Sequence, residues 1–285
     1  MKLFDTHTHL QFKAFEGKVD EVIKSAKDAG VEKMIVVGTN LETSKKTIAL
    51  AEKHDGLYAT VGIHPHHVFS YCHPARDAGS RQSYDQAISK LESLIGNPKV
   101  IAIGETGLDR HLYEKTQYKN YQITEEFIDL QKQFFAYQIQ LAIKHQKSLI
   151  IHNREAVKEL LEILKDNWDP FLEQRSVFHC VEPDERILEF ASNHKIFIGI
   201  DGDITYDKAK QDFIKKVPLE LLVLETDSPY FTPEPLLDSN SEENAINQPK
   251  NLKLIADFIS QLKQTSPKTL VETTSQNAMR LFFFN

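Results

Sequence analysis

The stretch Phe4-Asp5-Thr6-His7-Thr8-His9 ends a short apolar run that begins at Leu3. Residues two apart on a β-strand point to the same face, so His7 and His9 can approach one cation together, with Asp5 on the same side. A His-x-His pair is common by chance, but one that closes the first strand of a barrel is much more specific. The stretch therefore predicts a metal site at the end of a first β-strand.

Seven further apolar runs, each bounded by turn residues, also predict strands. The eight predicted strands are Leu3 to His7, Met34 to Thr39, Tyr58 to His64, Val100 to Glu105, Ser148 to His152, Ser176 to His179, Ile196 to Ile200 and Leu221 to Asp227. The segments between them are long enough for helices, and continuous apolar runs are typical of strands covered on both faces. The alternation favours an α/β fold, a TIM (β/α)8 barrel, over an open doubly wound sheet.

Two helices and two long loops can also be predicted. Thr124 is placed to cap a helix whose apolar residues recur three and four apart, and a second helix begins near Leu252. The segments from His66 to Ser83 and from Thr232 to Pro249 contain prolines and other turn residues. They predict long loops that lie over the mouth of the barrel.

The composition indicates one globular, cytoplasmic domain over residues 1–285. Hydrophobic residues make up 41% of the chain and charged residues 26%, which is enough apolar material for a large core. The sequence lacks an apolar run long enough to span a membrane and a basic, apolar leader. The two cysteines, Cys72 and Cys180, are expected to be free thiols in a reducing compartment.

The formal net charge of -7 argues against a broad basic surface for nucleic acid. A nuclease stays possible, because metal ions partly neutralise an active site rich in carboxylates and hold the phosphate themselves. No membrane association and no obligate protein partner are predicted, and a monomer or weak oligomer is expected.

Histidines are concentrated at the predicted strand ends, where barrel enzymes place their catalytic groups. Five of the 12 histidines stand there: His7, His9, His64, His152 and His179. Glu105 and Asp227 also end strands, and buried carboxylates gathered in this way are electrostatically costly without a cation. In a closed barrel Asp227 lies beside the first strand, so these groups can share one site.

Glu105 is predicted to be the shared ligand of two ions. The glycines of Gly104-Glu105-Thr106-Gly107 let the backbone turn sharply at the barrel mouth. A carboxylate can bridge two ions about 3.5 to 4 Å apart through its two oxygens, which a histidine nitrogen cannot do. The alternative is a glutamate held by a salt bridge inside the barrel.

Together these motifs resemble the TatD family of metal-dependent deoxyribonucleases, within the amidohydrolase-like barrels. The resemblance covers nearly the whole chain, through segments that follow the family's order: Asp5 to His9, Gly62 to His66, Gly104 to Asp109, Ile151 to Arg154, Phe178 to Cys180, Glu225 to Tyr230 and Asn277 to Phe282. The chain departs from the family at Val181 to Asp184 and lacks the arginine expected before Asn247. These departures affect the substrate groove rather than the metal ligands.

The resemblance implies two divalent metal ions, for which zinc, magnesium, manganese or a similar ion is suitable. One ion would be held by His7, His9, Glu105 and Asp227, and the other by Glu105, His152 and His179. The resemblance also implies that His64 contacts a substrate phosphate.

Two residues near these ligands have supporting roles in this interpretation. Arg154 could add a charge-assisted contact to a phosphate oxygen, with a salt bridge to Asp201 or Asp203 as the alternative. Asp5 is expected behind the ligands, where it orients an imidazole.

The expected activity is that of a deoxyribonuclease that cleaves DNA phosphodiester bonds, exonucleolytically at single-stranded ends, through a metal-activated water. Glu105 and Asp227 are the expected catalytic carboxylates, and Asp227 would orient the water and accept its proton. Two alternatives stay open. One is an amidohydrolase-type enzyme that acts on an amide, lactone or cyclic imide, and the other is a barrel that only binds nucleic acid or a partner.

Overall fold

The computed structural model describes residues 2–71, 79–238 and 246–282. Eight strands form one sheet in sequence order, and each strand pairs in parallel with the next. The strands are Leu3–Thr8 (β1), Val31–Val36 (β2), Leu57–Val61 (β3), Val100–Asp109 (β4), Ser148–Arg154 (β5), Ser176–Phe178 (β6), Phe197–Ile200 (β7) and Leu222–Leu224 (β8). All eight predicted strands are therefore present, with bounds that differ by a few residues.

The sheet closes between its first and last strands. A parallel bridge joins Thr8 to Ser228, and the backbone N–H of His9 donates to the carbonyl oxygen of Ser228 at 2.8 Å. The closure confirms the TIM barrel, and the open doubly wound sheet was the wrong alternative.

Helices follow the strands and form the outer layer. In the described part of the chain they are Val19–Asp28 (α1), Leu41–Lys53 (α2), Pro65–Val68 (α3), Gly79–Ile95 (α4), Glu125–Lys144 (α5), Val157–Asp166 (α6), Glu185–His194 (α7), Lys208–Lys216 (α8), Leu252–Leu262 (α9) and Pro267–Leu281 (α10). The predicted cap is confirmed, because Oγ1 of Thr124 accepts the N–H of Phe127. None of the described helices combines the length and apolarity that crossing a bilayer requires.

Two hydrophobic layers position the site. The larger lies between the strands and the helices, and the smaller fills the barrel with inward-facing residues: Phe4, Ile35, Ala102, Ile150, Val177, Phe197 and Val223. Phe282, just after α10, packs against Phe4 with 5.9 Å between ring centroids. One end of the barrel is thereby filled with apolar side chains, so polar groups gather at the other end, where the strands finish.

Strand β4 differs most from its prediction. It continues to Asp109 instead of ending at Glu105, with a register shift against β5 between Ile103 and Thr106. Gly107 has a φ of +151°, and a Cβ there would lie 1.9 Å from the carbonyl oxygen of His152. The glycines thus let the strand bulge at Glu105 and continue, where the sequence was interpreted as a strand end.

The two predicted long loops contain short helices. The first contains α3, a 3-10 turn at Phe69–Tyr71 and the beginning of α4, while residues 72–78, including Cys72, lie outside the described residues. The second contains a 3-10 turn at Leu236–Asp238, and residues 239–245 lie outside the described residues. The first loop was therefore predicted too long, since α4 already begins at Gly79.

Candidate metal centre

His7 and His9 face each other at the end of β1, with their Nε2 atoms 3.2 Å apart. Nδ1 of His9 lies 3.0 Å from the carbonyl oxygen of Val37. A carbonyl can only accept, so Nδ1 carries the proton and the lone pair of Nε2 is free to bind a cation. The local structure therefore presets the tautomer that a metal ligand needs.

The two oxygens of Glu105 face different imidazoles. Oε2 lies 3.5 Å from Nε2 of His7 and 4.0 Å from Nε2 of His9. Oε1 lies 2.8 Å from Nδ1 of His152 and 3.6 Å from Nε2 of His179. This division of one carboxylate between two pairs of nitrogens is the arrangement that a ligand shared by two ions requires.

Asp227, which follows β8, lies beside the imidazole of His9 at the end of β1. Its Oδ1 lies 3.2 Å from Nε2 of His9, and its Oδ2 lies 3.9 Å from Nε2 of His179. Oδ1 is buried and has no hydrogen-bond partner among the described residues. The backbone at Asp227 has a φ of +47°, a strained conformation for a residue other than glycine that is frequent at functional sites.

Two carboxylates to which the sequence analysis gave no role lie within hydrogen-bond distance of the imidazoles of His179 and His152. Glu225 lies with Oε1 3.0 Å from Nδ1 of His179, and Asp109 lies with Oδ2 3.2 Å from Nε2 of His152. His179 is thus left with Nε2 for a cation and His152 with Nδ1. Both carboxylates belong to segments quoted in the sequence analysis. An acidic residue at the end of an apolar strand, with no other role assigned, could have predicted a partner for a ligating imidazole.

His64 presents a donor to the site instead of a lone pair. Its Nδ1 accepts the backbone N–H of His66 at 3.1 Å, so the neutral ring carries its proton on Nε2. Nε2 lies 3.4 Å from Oε1 of Glu105. An N–H at this position suits contact with a phosphoryl oxygen better than metal ligation.

Asp5 lies beside the site but does not contact an imidazole ring. Its Oδ1 accepts the backbone N–H groups of His7 and Thr226, and its Oδ2 accepts the hydroxyl of Thr226 at 2.7 Å. A register shift between Asp5 and Thr8 interrupts the alternation assumed from the sequence. Asp5 therefore fixes the backbone between β1 and the segment after β8, and it reaches His7 through the main chain rather than through the imidazole ring.

Arg154 lies at the end of β5, where its guanidinium stands 5.2 Å over the ring of Tyr113. The alternative salt bridge with Asp201 or Asp203 was wrong. Both of these carboxylates are close to the ammonium group of Lys210 in the described structure.

Burial and charge oppose each other in the pocket. Burial lowers the pKa of His7 below its ordinary value. Burial also opposes protonation of His179, but the carboxylates of Glu225, Glu105 and Asp227 outweigh it and raise the pKa of that imidazole to about 10. The pocket therefore attracts positive charge.

The donor set fits divalent metal ions. The unprotonated Nε2 of His9 faces carboxylate oxygens of Glu105 and Asp227 at 4.0 and 3.2 Å, and Oδ1 of Asp227 is buried without a hydrogen-bond partner among the described residues. Acceptors that face each other in a buried pocket are costly unless a cation lies between them. A parallel barrel with such a cluster at its mouth is typical of metal-dependent hydrolases.

Comparisons with known proteins agree with this class. A family model for TatD related DNase matches residues 4–283. The uncharacterized metal-dependent hydrolase YabD of Bacillus subtilis is 30% identical over 285 residues, which cover 99% of this chain and 100% of the relative. A 3'-5' ssDNA/RNA exonuclease TatD of Erwinia tasmaniensis is 31% identical over 286 residues, which cover 98% and 99%. The crystal structure of YJJV, a TatD homolog from Escherichia coli K12, has a TM-score of 0.81 and 25% identity, covering 99% of this chain and 98% of that one.

The chain belongs to the TatD related DNase family. The family, the fold and the class of enzyme expected from the sequence, a metal-dependent hydrolase acting on phosphodiester bonds, are thereby confirmed. Metal dependence is consistent with the clusters at the barrel mouth, of which His7, His9 and Glu105 form one and Glu105, His152 and His179 another.

Proposed function

We propose that this chain is an exonuclease that hydrolyses phosphodiester bonds at the 3' ends of single-stranded DNA with two divalent metal ions. The observation that carries the proposal is Glu105, whose two oxygens face two separate pairs of imidazole nitrogens. The relative from Erwinia tasmaniensis, a 3'-5' ssDNA/RNA exonuclease, supports the polarity and the substrate.

Each ion would take its own set of ligands. His7, His9 and Asp227 would hold one ion with Oε2 of Glu105, and His152 and His179 would hold the other with Oε1. Bound divalent ions supply a nucleophilic water at neutral pH and neutralise charge on the phosphoryl oxygens. Zinc, manganese and magnesium are candidates, because mixed nitrogen and oxygen ligands suit several ions of this size.

The side chains of the protein perform the proton transfer and hold the substrate. Burial opposes ionisation of Asp227, but the neighbouring imidazoles, His179 first, lower the pKa of its carboxyl below the ordinary value. Asp227 is therefore ionised at neutral pH and can accept the proton of the attacking water. His64 would donate its Nε2 proton to a phosphoryl oxygen, and Arg154 would contact the substrate further from the centre.

The alternative substrates, an amide, lactone or cyclic imide, have less support. The bridging ligand in this proposal is the carboxylate of Glu105, and the family that the chain matches is described by DNase activity. The alternative of a barrel that only binds is also less well supported, because binding does not require so many buried charges.

The test is digestion of single-stranded DNA labelled at either end, by the wild type and by Glu105→Ala, after metal removal and after reloading with single divalent ions. We expect metal-dependent release of the 3' label as mononucleotide by the wild type and loss of this activity in the variant. Glu126→Ala is the matched control, because Glu126 is exposed on α5. Failure of the wild type to cleave with any divalent ion would refute the proposal.

Three further expectations belong to this proposal. The single domain over residues 1–285 is consistent with the continuous core, and a monomer or weak oligomer is the expected state. A cytoplasmic location is consistent with the free thiol of Cys180. Size-exclusion chromatography with light scattering tests the oligomeric state, and fractionation of cells tests the location.

A further inference from the structure

The exposed hydrophobic side chains of this protein are unevenly distributed. Among the residues whose side chains are described, six large hydrophobic ones are exposed: Leu112, Tyr206, Tyr230, Phe231, Leu237 and Leu254. The first five lie in the segments that follow β4, β7 and β8, on the same face of the barrel as the candidate metal centre. Exposed apolar groups concentrated on one face mark a binding surface.

Tyr230 is the member of this set that lies beside the metal centre. Tyr230 is 51% exposed, and the centroid of its ring lies 6.3 Å from that of His9. The ring of Phe12 stacks on that of His9 with 4.5 Å between centroids, and it meets the ring of Tyr230 edge-on with 6.4 Å between centroids. An aromatic surface therefore begins at a candidate metal ligand and extends to solvent.

The turn that carries Asp227 also fixes the backbone at Tyr230. The N–H of Tyr230 donates to the carbonyl oxygen of Asp227 at 2.9 Å. The side-chain amide of Asn247 donates to the carbonyl oxygens of Thr226 and Phe231, at 2.7 and 3.2 Å. The backbone that carries the exposed ring is thus held at a set distance from the proposed proton acceptor, so binding a ligand orders only the side chain of Tyr230.

Phe231 adds strain to the same turn. It has a φ of +50°, which is unfavourable for a bulky side chain. Its carbonyl oxygen would lie 1.9 Å from a Cβ at Gly202, so the segments after β7 and β8 are packed tightly together here. A fold that maintains a strained backbone beside an exposed aromatic ring indicates a functional constraint at this position.

The net charge indicates what this surface binds. A formal net charge of -7 argues against holding a nucleic acid mainly through a broad basic surface. Aromatic rings supply the other source of affinity for single strands, because every nucleobase has a π-face on which a ring can stack. In a duplex these faces are covered by neighbouring bases, so stacking on a protein ring favours an unpaired end.

We propose that the ring of Tyr230 stacks on a nucleobase that flanks the scissile phosphate and thereby selects single-stranded ends. The inference rests on the proposed nuclease function and extends it to a residue that recognises the substrate. Tyr230 binds the base, and the metal centre and Asp227 act on the phosphate a few ångströms away.

The test compares Tyr230→Ala with Tyr230→Phe, which keeps the ring, on a single-stranded oligonucleotide. Loss of one base stack predicts a decrease in kcat/KM of between about 5-fold and 150-fold for the alanine variant. The phenylalanine variant should retain the wild-type value. Leu254→Ala is the matched control, because Leu254 is exposed on α9 and outside the mouth segments.

Oligonucleotides that lack either base next to the scissile bond separate stacking from a structural effect. With the base that contacts Tyr230 removed, the wild type should cleave more slowly and Tyr230→Ala should cause no further loss. Equal cleavage of the intact oligonucleotide by wild type and alanine variant would overturn the proposal. The proposal would also be overturned if Tyr230→Ala cleaved both abasic oligonucleotides more slowly than the wild type by the same factor.

A binding measurement tests the stacking even if the nuclease proposal fails. Oligonucleotides with 2-aminopurine at the terminal or the penultimate base should lose fluorescence on binding the wild type, and this quenching should be absent in Tyr230→Ala. A wild type that cleaves nothing but shows this difference would refute the nuclease activity alone. Equal quenching by both proteins would refute the role of Tyr230.

Discussion

The backbone N–H of Asp227 donates a hydrogen bond to the carbonyl oxygen of His7 across the seam of the barrel, at an N···O distance of 2.9 Å. This bond joins the end of the first strand to the segment after the last. It fixes the proposed proton acceptor against a proposed metal ligand through main-chain atoms. Substitution of either side chain should therefore leave this bond intact, so a loss of activity can be attributed to the missing side-chain group.

Asp227→Asn should retain the fold and lose most of the catalytic rate. The amide keeps the size of the side chain but cannot accept a proton, and general base catalysis is worth about 100- to 10,000-fold. Single-turnover rates on single-stranded DNA, measured beside metal content, check the prediction, with the exposed Asp212→Asn as control. Full metal content together with a full nuclease rate would show that another group accepts the proton.

Glu225→Gln should weaken metal binding without touching a ligand. Glu225 accepts from Nδ1 of His179, and an amide at this position can accept less strongly and can offer an N–H that favours the wrong tautomer. Loss of such a partner typically costs about 10- to 100-fold in metal affinity. Competition with a chelating dye measures this affinity in the absence of substrate.

The matched control for that variant is Glu220→Gln, because Glu220 is exposed and lies before β8. Unchanged metal affinity in Glu225→Gln would mean that packing alone orients the ring of His179.

His64→Ala should impair substrate use while metal content stays constant. The lost N–H contact with a charged phosphoryl oxygen is worth about 1.5 to 3 kcal/mol, roughly 10- to 150-fold in kcat/KM. Steady-state kinetics and metal analysis of the same preparation check the prediction, with His54→Ala as control at the end of α2. A fall in bound metal would instead assign His64 to a cluster with Asp109 and His152.

Lys210→Met should destabilise the fold. Lys210 is 3% exposed and its ammonium group lies against Asp201 and Asp203, and removal of one partner of a buried ion pair costs about 3 to 5 kcal/mol. Denaturant unfolding of the variant and of the exposed control Lys208→Met measures the difference. A loss no larger than that of the control would show that water satisfies the two carboxylates.

The same destabilisation should depend on pH. Burial and the neighbouring Asp201 raise the pKa of Asp203 to about 8, against about 3.9 in an unfolded chain. The folded state therefore binds more protons between these values, and stability falls as pH rises through this window. Without the ammonium group the penalty for charged carboxylates grows, so the deficit of Lys210→Met should be larger at pH 8 than at pH 5.

Much of the fold followed from local patterns. Apolar runs of strand length with helix-length segments between them fixed the order of the eight strands, because each pattern reflects burial of its own residues. The boundaries of β4 could not be found in this way. Glu105 is charged and therefore ends the apolar run in the sequence. The strand nevertheless continues past it, because Gly104 and Gly107 accommodate the bulge and β5 supplies the hydrogen bonds.

Local motifs were sufficient to predict which kinds of donor reach the barrel mouth, since His7, His9, Glu105 and Asp227 all belong to strand-end motifs. Which atom of each donor faces the centre depends on contacts made after the chain has folded. The tautomer of an imidazole depends on the partner of its other nitrogen, and that partner comes from a different strand, as Glu225 does for His179. Such contacts between strands leave no local periodicity in the chain, so closure of the barrel was needed to define them.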